Sequence, residues 1–390
     1  MERADLTTLL RATGCAEQHG GFTFLCDPQW KAADRRAVDA IQQSKIANQK
    51  SKIPTGWLCV PTGGSSGGVR FARHDERTLA AAVTGFCAHF GIERVNALGV
   101  LPPYHVSGLM ARVRCAATGG EHVAGDWKRL AAGELPRLAR RKGNWVISLV
   151  PTQLQRLLAR PAAVAWLRGF RVIFVGGGPV WPELADAAAQ AELPVSLSYG
   201  LTETAAMVTA LRPAEFLAGA RSSGPVLPHA AVRIDGEGVV TIAGESVFRG
   251  YFPEENAARE FATDDLGRID EQGHLHLLGR RDAVIITGGK KVHPAEVEAA
   301  LRASGEFSDV AVVGVPDPEW GDLVVACYPA GERAPNLARL PAALAGLAAF
   351  KRPKRYVALV DWPRNAQGKL NRAALGAAAV ASLARADPRR

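Results

Sequence analysis

The sequence lacks paired cysteines and long hydrophobic runs. Its six cysteines are scattered and form no CxxC pair, so the spacing typical of a zinc site is absent. No stretch reaches about 18 consecutive apolar residues, which excludes a membrane-spanning helix. The N-terminus carries acidic residues early and has no apolar core, unlike a secretory signal. We therefore expect a cytoplasmic protein with reduced, buried thiols and no stable membrane insertion.

Aromatic residues are also sparse, at 7% of the chain, whereas basic residues exceed acidic ones. The formal net charge is +9 and the isoelectric point is about 9.4, which favours anionic ligands. The densest basic run covers residues 351–355, and aromatics do not alternate with its charges as they do in a base-stacking platform. We expect no nucleic-acid partner.

The length and the order of the predicted elements indicate an α/β protein of two domains. A chain of 390 residues is longer than a single hydrophobic core usually accommodates. Apolar runs such as "WVISLV" and "FRVIFVGGG" alternate with amphipathic helical segments, which predicts layered, parallel-type sheets covered by helices. A β-rich segment follows residue 220. We assign residues 1–280 to a large N-terminal domain, 281–375 to a small α+β C-terminal domain, and 376–390 to a frayed helical tail.

The segment "VPTGGSSGGVRFARHD", residues 60–75, allows two interpretations. Its glycines let backbone N–H groups approach a ligand, its hydroxyls add donors, and Arg70 adds a positive charge, which suits polyphosphate oxygens. The spacing of a Walker loop is missing. A mobile Gly/Ser linker explains the composition equally well.

The segment "SYGLTETA", residues 198–205, follows a predicted strand. An aromatic, two threonines and a carboxylate at the carboxyl end of a strand suit a nucleotide, and Glu203 is a credible Mg²⁺ ligand. The alternative is a helix N-cap, with Thr202 capping and Glu203 complementing the helix dipole.

Two later segments contain candidate nucleotide-binding residues. In "TDDLGRIDEQGHLHLLGRRD", Asp265 could accept both ribose hydroxyls and Arg280 could bridge ribose and phosphate. In "PRNAQGKLNR", Lys369 lies on a predicted turn. Taken singly, all three residues are better explained as solvated surface charges.

Together and in this order, the four segments resemble the motifs of the adenylate-forming superfamily, which includes the acyl-CoA synthetases. "YGLTET", "GGKKVHPAEVE" and the terminal "PRNAQGKLNR" match its motifs, and "FVGGGPV" resembles its adenine loop. The resemblance covers roughly residues 55–373 and implies ATP, Mg²⁺ and CoA as ligands, an aromatic or acyl carboxylate as substrate, and a mobile C-terminal domain. We leave self-association open.

The resemblance also implies roles for individual residues. Lys369, Thr202 and Glu203 would act in catalysis, and Glu203 would bind the metal. Asp282 would be the hinge between the domains. The ligand-binding residues would be Thr62, Gly63, Gly64, Ser65, Ser66, Gly67 and Arg70 for the phosphates, Gly177, Gly178 and Tyr199 for adenine, Asp265 and Arg280 for ribose, and Gly288 and Gly289 for pantetheine.

The sequence departs from the superfamily pattern in three places. Arg70 replaces the usual lysine of the phosphate loop, with Val69 and Phe71 in place of proline and glycine, and Asp264 replaces a glycine. Arginine keeps the charge but presents a planar fork, so phosphate contact should survive with changed geometry. The segment before the phosphate loop is shorter than in most relatives, which predicts an N-terminal domain that lacks part of the usual fold.

The run "LPPYHVSGLMARVRCAATGG", residues 101–120, is similar to that of the branch that ligates o-succinylbenzoate to CoA in menaquinone and phylloquinone synthesis. The implied substrate residues are His105, Ser107, Arg114, Gly200 and Thr204. A second carboxylate on the substrate would bind best in a basic or hydroxyl-rich pocket. Arg114 as an ordinary surface arginine is the alternative interpretation.

Three other functions stay open at this point. The chain could ligate a different acid to CoA, or load a carrier protein, since the basic run at residues 351–355 could dock an acidic carrier or the 3′-phosphate of CoA. It could also be a binding protein without activity, given the divergent phosphate loop. Retention of Glu203, Asp265, Arg280 and Lys369 argues against that last function.

Overall fold

The computed structural model describes residues 2–30, 32, 35–36, 38–41, 56–63, 69–138, 144–254, 258–307, 309–331, 334–364 and 370–386. The chain divides into two compact units. The first comprises residues 1–62, 69–263 and 269–276, and the second comprises residues 63–68, 264–268 and 277–390. Within the described ranges, no helix is long and apolar enough to traverse a bilayer.

A six-stranded sheet lies at the centre of the first unit. Five of its strands run parallel and the edge strand β10 is antiparallel, in the order β10–β9–β8–β7–β5–β6. The parallel strands read as continuous apolar runs because both faces of such a sheet are covered. Their bounds are Asn96–Gly99 (β5), His122–Ala124 (β6), Trp145–Leu149 (β7), Val172–Val175 (β8), Val195–Leu201 (β9) and Ala206–Ala210 (β10).

Helices pack on this sheet through apolar faces. Helix Glu76–Phe90 begins after Asp75, whose carboxylate accepts hydrogen bonds from the N–H groups of Arg77 and Thr78. It is capped at its C-terminus by Gly91 in the left-handed conformation. The first unit includes the helices Arg3–Arg11 (α1), Glu76–Phe90 (α2), Val106–Ala117 (α3), Trp127–Ala132 (α4), Pro151–Leu158 (α5), Pro161–Leu167 (α6), Pro182–Gln190 (α7) and Pro213–Leu217 (α8).

Two further sheets contain the N-terminal and β-rich segments. The first has the order β1–β2–β3–β4, with strands Ala16–His19, Phe22–Leu25, Leu58–Gly63 and Val69–His74. The second has the order β11–β12–β13–β14, with strands Ala230–Ile234, Val239–Gly244, Glu260–Ile269 and Leu275–Arg280. The alternating sequence after residue 220 correctly predicts the strands of the second of these sheets, β11 to β14.

An aromatic cluster explains the unusual residue at position 71. Phe71 is buried on β4, and its ring packs edge-on against Phe24 with the centroids 5.0 Å apart. Phe252 packs edge-on against both Phe22 and Phe24, at 5.0 and 5.1 Å. Phe71 is therefore a core residue that joins β2 to β4.

The second unit contains a five-stranded sheet covered by helices. Strands β15 to β18 have the order β16–β15–β18–β17, and β19 pairs in parallel with β18. The strands are Ile285–Thr287, Lys290–Val292, Ala311–Asp317, Gly321–Pro329 and Arg355–Leu359. The helices are Pro294–Ala303 (α9), Leu340–Ala343 (α10) and Arg372–Ala386 (α11).

The last helix differs from the predicted frayed tail. Helix α11 begins at Arg372, and its Leu375 and Ala379 are buried against the sheet. Arg372 also forms an ion pair of 2.7 Å with Glu298, which is 1% exposed. Packing and a buried ion pair hold this helix in place, so the prediction of fraying is wrong for residues 376–386.

Candidate functional site

The predicted adenine residues follow neighbouring parallel strands. Gly177 and Gly178 come after β8, and Tyr199 lies near the end of β9, which pairs with β8. Gly177 has a φ of +76°, a conformation that favours glycine. Tyr199 is buried in an apolar cluster with Ala72 and Phe248. Its stacking on adenine stays a prediction.

Glu203 lies in a strained turn. Residues Thr202–Thr204 form a single 3₁₀ turn with Leu201 at the N-cap, so Thr202 does not cap a helix. The next two residues, Ala205 and Ala206, have φ values of +52° and +80°. Left-handed non-glycine residues cost about 1–3 kcal/mol each and are held by their surroundings, commonly at functional sites. The N-cap interpretation of this motif is wrong.

Gly200 and Thr204 shape this turn from within. A Cβ atom on Gly200 would lie 1.9 Å from the carbonyl oxygen of Ala206, so only glycine fits there. The Thr204 hydroxyl donates to the Ala206 carbonyl at 2.7 Å and accepts from the Leu201 N–H at 2.9 Å. Thr204 is fully buried, so in this structure its side chain stabilises the turn.

Tyr251 connects Glu203 to the phosphate-loop arginine. The Tyr251 hydroxyl donates a 2.7 Å hydrogen bond to Oε1 of Glu203, a residue that is 5% exposed. The Arg70 guanidinium stacks over the Tyr251 ring, 4.1 Å from its centroid. Thr62 and Gly63 end strand β3, whereas Gly64, Ser65, Ser66 and Gly67 lie outside the described residues.

His74 contacts the same turn through the backbone of Thr202. Its Nε2 lies 2.7 Å from the carbonyl oxygen of Thr202, and its Nδ1 lies 3.1 Å from the Thr78 hydroxyl. His74 is fully buried. Burial lowers its pKa from 6.5 to about 4, and the hydrogen bond to Thr202 opposes this only in part. A neutral imidazole therefore donates to the Thr202 carbonyl.

This depressed pKa predicts acid lability. The pKa of His74 is lower in the folded state than in the unfolded state, so the unfolded state binds more protons between pH 6.5 and 4. The free energy of unfolding therefore decreases as the pH is lowered through that window. The His74 contribution to the free energy of unfolding should drop by about 2 kcal/mol from about pH 7 to about pH 5. Urea denaturation at the two pH values measures it. A His74→Gln variant should lose that part of the pH dependence, and an equal pH dependence in both proteins would contradict the prediction.

Three of the predicted substrate residues lie along helix α3, His105 and Ser107 at its start and Arg114 in its last turn. His105 occupies the N-cap position and Ser107 lies in the first turn. A Cβ atom on Gly108 would lie 2.1 Å from the carbonyl oxygen of Pro102, so glycine permits the helix to approach the preceding loop. Arg114 lies nearly two turns further along the same helix.

Arg114 is a buried cation with unused donors. It is 3% exposed, and its Nε and one terminal nitrogen have no hydrogen-bond partner among the described residues. Its guanidinium stacks over Phe86 at 4.2 Å, and burial lowers its pKa to about 10. The surface interpretation of Arg114 is wrong. A buried charge without a partner is costly unless an anion pairs with it.

His229 is a second polar side chain with buried nitrogens in this region. Neither ring nitrogen forms a hydrogen bond of good geometry within the described part of the chain, although the backbone of Met207 lies close enough to favour the protonated ring. Its pKa is lowered to about 4, first by burial and then by the charge of Arg114. Its ring packs against helix α2 at Gly85, where a Cβ atom would lie 1.9 Å from Nδ1. His229 is therefore a neutral imidazole with buried nitrogens in the surroundings of Arg114.

In the second unit, the predicted ribose and hinge residues form one ionic cluster. Arg280 bonds Asp282 through two nitrogens at 2.8 Å each and reaches Asp264 at 3.0 Å. Asp265, which is less exposed, lies 3.9 Å from Arg280. Hydrogen bonding to Asp282 raises the pKa of Arg280. The four residues are a connected network rather than isolated turn charges.

Gly288 and Gly289 adjoin a surface of cations stacked on aromatic rings. The N–H of Gly288 donates to the carbonyl of Trp320 at 2.8 Å. Lys354 lies over the Trp320 ring at 5.5 Å, and Lys290 lies over Phe350 at 4.8 Å. Folding thus brings one aromatic ring, that of Trp320, to the basic run at residues 351–355, which has no aromatic within its own sequence.

The remaining predicted residue, Lys369, lies outside the described residues, between Arg364 and Leu370, which form an isolated β-bridge. The sequence analysis missed Tyr251 and His74. His74 lies within residues 60–75, but no local pattern relates Tyr251 to a carboxylate 48 positions earlier.

The donor set fits a magnesium ion held jointly with phosphates. Within the described ranges, no group of three or more metal-ligating side chains could hold an ion alone. Mg²⁺ usually takes one or two protein carboxylates and completes its shell with phosphate and water oxygens. Glu203 supplies one buried carboxylate beside Arg70 and Tyr251, which matches that pattern.

Two family models match the chain. The model described as AMP-binding enzyme covers residues 30–252, and the model described as AMP-binding enzyme C-terminal domain covers residues 296–369. These two matches include the Tyr199–Thr204 motif in the first unit and the Gly/Lys-containing segment before residue 370.

Two curated relatives share one name. The 2-succinylbenzoate–CoA ligase of Listeria innocua is 31% identical over 293 residues, covering 72% of this chain and 61% of the relative. The ligase of the same name from Enterococcus faecalis is 30% identical, covering 84% of this chain and 72% of the relative. The chain thus spans about three fifths of the length of the first of these relatives.

The fold is similar to two solved structures. The o-succinylbenzoate CoA synthetase of Bacillus subtilis, in complex with its acyl-adenylate intermediate, has a TM-score of 0.74 at 25% identity, covering 91% of this chain and 78% of that one. ATP-bound MatB from Rhodopseudomonas palustris has a TM-score of 0.71 at 26% identity, covering 86% of this chain and 72% of that one. The predicted α/β class, with a large N-terminal and a small C-terminal domain, is confirmed.

Proposed function

The chain belongs to the family of AMP-binding enzymes, and on that premise we propose that it is an ATP-dependent carboxylate–CoA ligase acting on o-succinylbenzoate. The buried Arg114, with two donor atoms unpaired among the described residues, carries this proposal. The names of the Listeria innocua and Enterococcus faecalis relatives support the same acid.

In the first half-reaction, the acid carboxylate attacks the α-phosphorus of ATP, and pyrophosphate leaves. The protein contributes positioning and charge neutralisation. We assign Arg70, Thr62 and the glycine-rich segment to the β- and γ-phosphates, Thr202 to the α-phosphate, and Lys369 to the attacking carboxylate. A magnesium ion, when bound through Glu203, supplies positive charge beside the phosphates.

The second carboxylate of the acid accounts for the buried cation. Arg114 cannot be solvated at 3% exposure, so an anionic group in its vicinity would recover the cost of burying the guanidinium. His229, neutral at physiological pH, adds no competing charge beside Arg114. A monocarboxylic acid would leave Arg114 unpaired, which disfavours its binding.

In the second half-reaction, the CoA thiol attacks the acyl-adenylate and AMP leaves. The stacked pairs Lys354–Trp320 and Lys290–Phe350 beside Gly288 present cations and aromatic faces together. Such a surface suits the adenine and phosphates of CoA. An acidic carrier protein is the alternative acceptor, because the same basic run could dock it.

We further propose that residues 281–375 act as a mobile domain with Asp282 at its hinge. The paired contacts of Arg280 with Asp282 support this, since they connect a proposed ribose ligand directly to the hinge residue. Exchange of those contacts would couple nucleotide release to hinge rotation.

A substrate panel tests the proposal. ATP–pyrophosphate exchange is measured with o-succinylbenzoate, benzoate and a medium-chain fatty acid, and thioester formation is then measured with free CoA. We expect the dicarboxylate to exceed the monocarboxylates by about 10- to 100-fold in kcat/KM, as expected for one charge-assisted hydrogen-bond set. Equal values would refute the assigned acid, exchange without thioester formation would favour a carrier protein, and no exchange with any acid would refute the activity.

A further inference from the structure

Glu203 is held in place by contacts to its backbone. The N–H of Phe248 donates to the Glu203 carbonyl at 2.8 Å, and His74 bonds the carbonyl of the preceding residue at 2.7 Å. The turn is strained at Ala205 and Ala206. The main chain at Glu203 is therefore fixed, and the direction of its carboxylate depends on what holds the side chain.

Tyr251 makes the one hydrogen bond to that carboxylate among the described residues. Its hydroxyl donates to Oε1 at 2.7 Å, which leaves Oε2 without a hydrogen bond or ion pair within the described part of the chain. A carboxylate with one oxygen held and one oxygen available is arranged to offer a single oxygen to a cation.

The segment that carries Tyr251 is paired with the strand that carries Arg70. Phe252 N–H donates to the Phe71 carbonyl at 2.8 Å, and Arg73 N–H donates to the Gly250 carbonyl at 3.0 Å. Tyr251 itself forms a β-bridge with Ala72. These contacts set Tyr251 in register with strand β4, so its position does not depend on a bound ligand.

The Tyr251 ring also separates two opposite charges. Arg70 stacks on the ring, while the hydroxyl bonds Glu203, and the two charged residues form no ion pair with each other in the described structure. A shorter side chain at this position would let the guanidinium approach the carboxylate. In that ion pair the Arg70 guanidinium would no longer be available to the phosphates, and the Glu203 carboxylate would no longer be available to the metal.

We propose that Tyr251 is a positioning residue that aims the Glu203 carboxylate at the magnesium ion of MgATP and holds Arg70 apart from it for the phosphates. The hydroxyl performs the first task and the ring the second. The proposal rests on the function proposed above, in which Glu203 binds the metal.

Two substitutions separate the two tasks. Tyr251→Phe removes the hydroxyl but keeps the ring, so the Mg²⁺ concentration for half-maximal ATP–pyrophosphate exchange should rise about tenfold, as is typical for the loss of a hydrogen bond to a metal ligand. ATP affinity without Mg²⁺, measured by calorimetry, should stay within about twofold. Tyr251→Leu should also weaken metal-free ATP binding, because Arg70 can then pair with Glu203.

Tyr356→Phe is the matched control, since Tyr356 is a half-buried tyrosine of strand β19 that stacks on Phe307. It should leave both measurements unchanged. A Tyr251→Phe protein with the wild-type Mg²⁺ dependence would overturn the proposal, as would equal weakening of ATP binding with and without Mg²⁺. If the wild type exchanges with no acid, the proposed activity fails, whereas calorimetric titration of MgATP against metal-free ATP still decides the role of Tyr251.

Discussion

Replacing Lys369 with alanine should slow acyl-adenylate formation by about 1000-fold, because the lysine charge acts only where negative charge builds up on the attacking carboxylate and the α-phosphate. Thioester formation from supplied acyl-adenylate should stay close to the wild-type rate. A thiol that attacks a mixed anhydride needs no such cation. Single-turnover assays of each half-reaction provide the measurement.

Two variants complete the Lys369 experiment. Lys369→Arg keeps the charge in a planar group and should restore part of the lost rate. Lys128→Ala removes a lysine from helix α4 and should change neither half-reaction. A comparable loss in both half-reactions of Lys369→Ala would contradict this division of labour.

Replacing Arg114 with methionine should remove the preference for a dicarboxylic acid. The kcat/KM for o-succinylbenzoate should fall by about 10- to 100-fold, the equivalent of roughly 1.5–3 kcal/mol for a lost hydrogen bond to a charged group. The kcat/KM for benzoate should stay level or rise, because the variant no longer leaves a buried cation unpaired when a monocarboxylate binds. Methionine fills a similar volume over Phe86.

Arg112 supplies the control on the same helix. It is partly exposed, so Arg112→Met should leave the substrate ratio unchanged. An equal loss for both acids in Arg114→Met would mean that Arg114 only supports the fold. Thermal denaturation of the two variants separates that outcome from a specific effect on the second carboxylate.

The central sheet could be predicted from sequence because its signal is local. Apolar runs such as residues 145–149 and 172–175 form buried parallel strands, and each run shows that burial in its own composition. The Pro-started helix α9 is likewise confirmed. Hydrophobic periodicity indicates which side chains face the core, and in these elements the pattern in the sequence agrees with the burial in the structure.

The contacts of the site depend on residues that are distant in sequence. Arg114 looks like any helical arginine, and its burial follows from helix α2 and the segment at His229. Tyr251 meets Glu203, and Trp320 meets Lys354, only after folding. Composition does not show which distant residues meet. The alanine-rich composition of helix α11 also suggested a frayed tail, whereas its small alanines pack closely against the sheet.

Phe71 makes the divergent phosphate segment difficult to reverse. The glycine typical of the superfamily would empty a ring-sized volume beside Phe24, and loss of a buried phenylalanine costs roughly 3–5 kcal/mol. Glycine at position 71 would therefore require compensating changes in its aromatic partners. The core thus constrains position 71, next to Arg70 on the same strand, independently of any contact with phosphate.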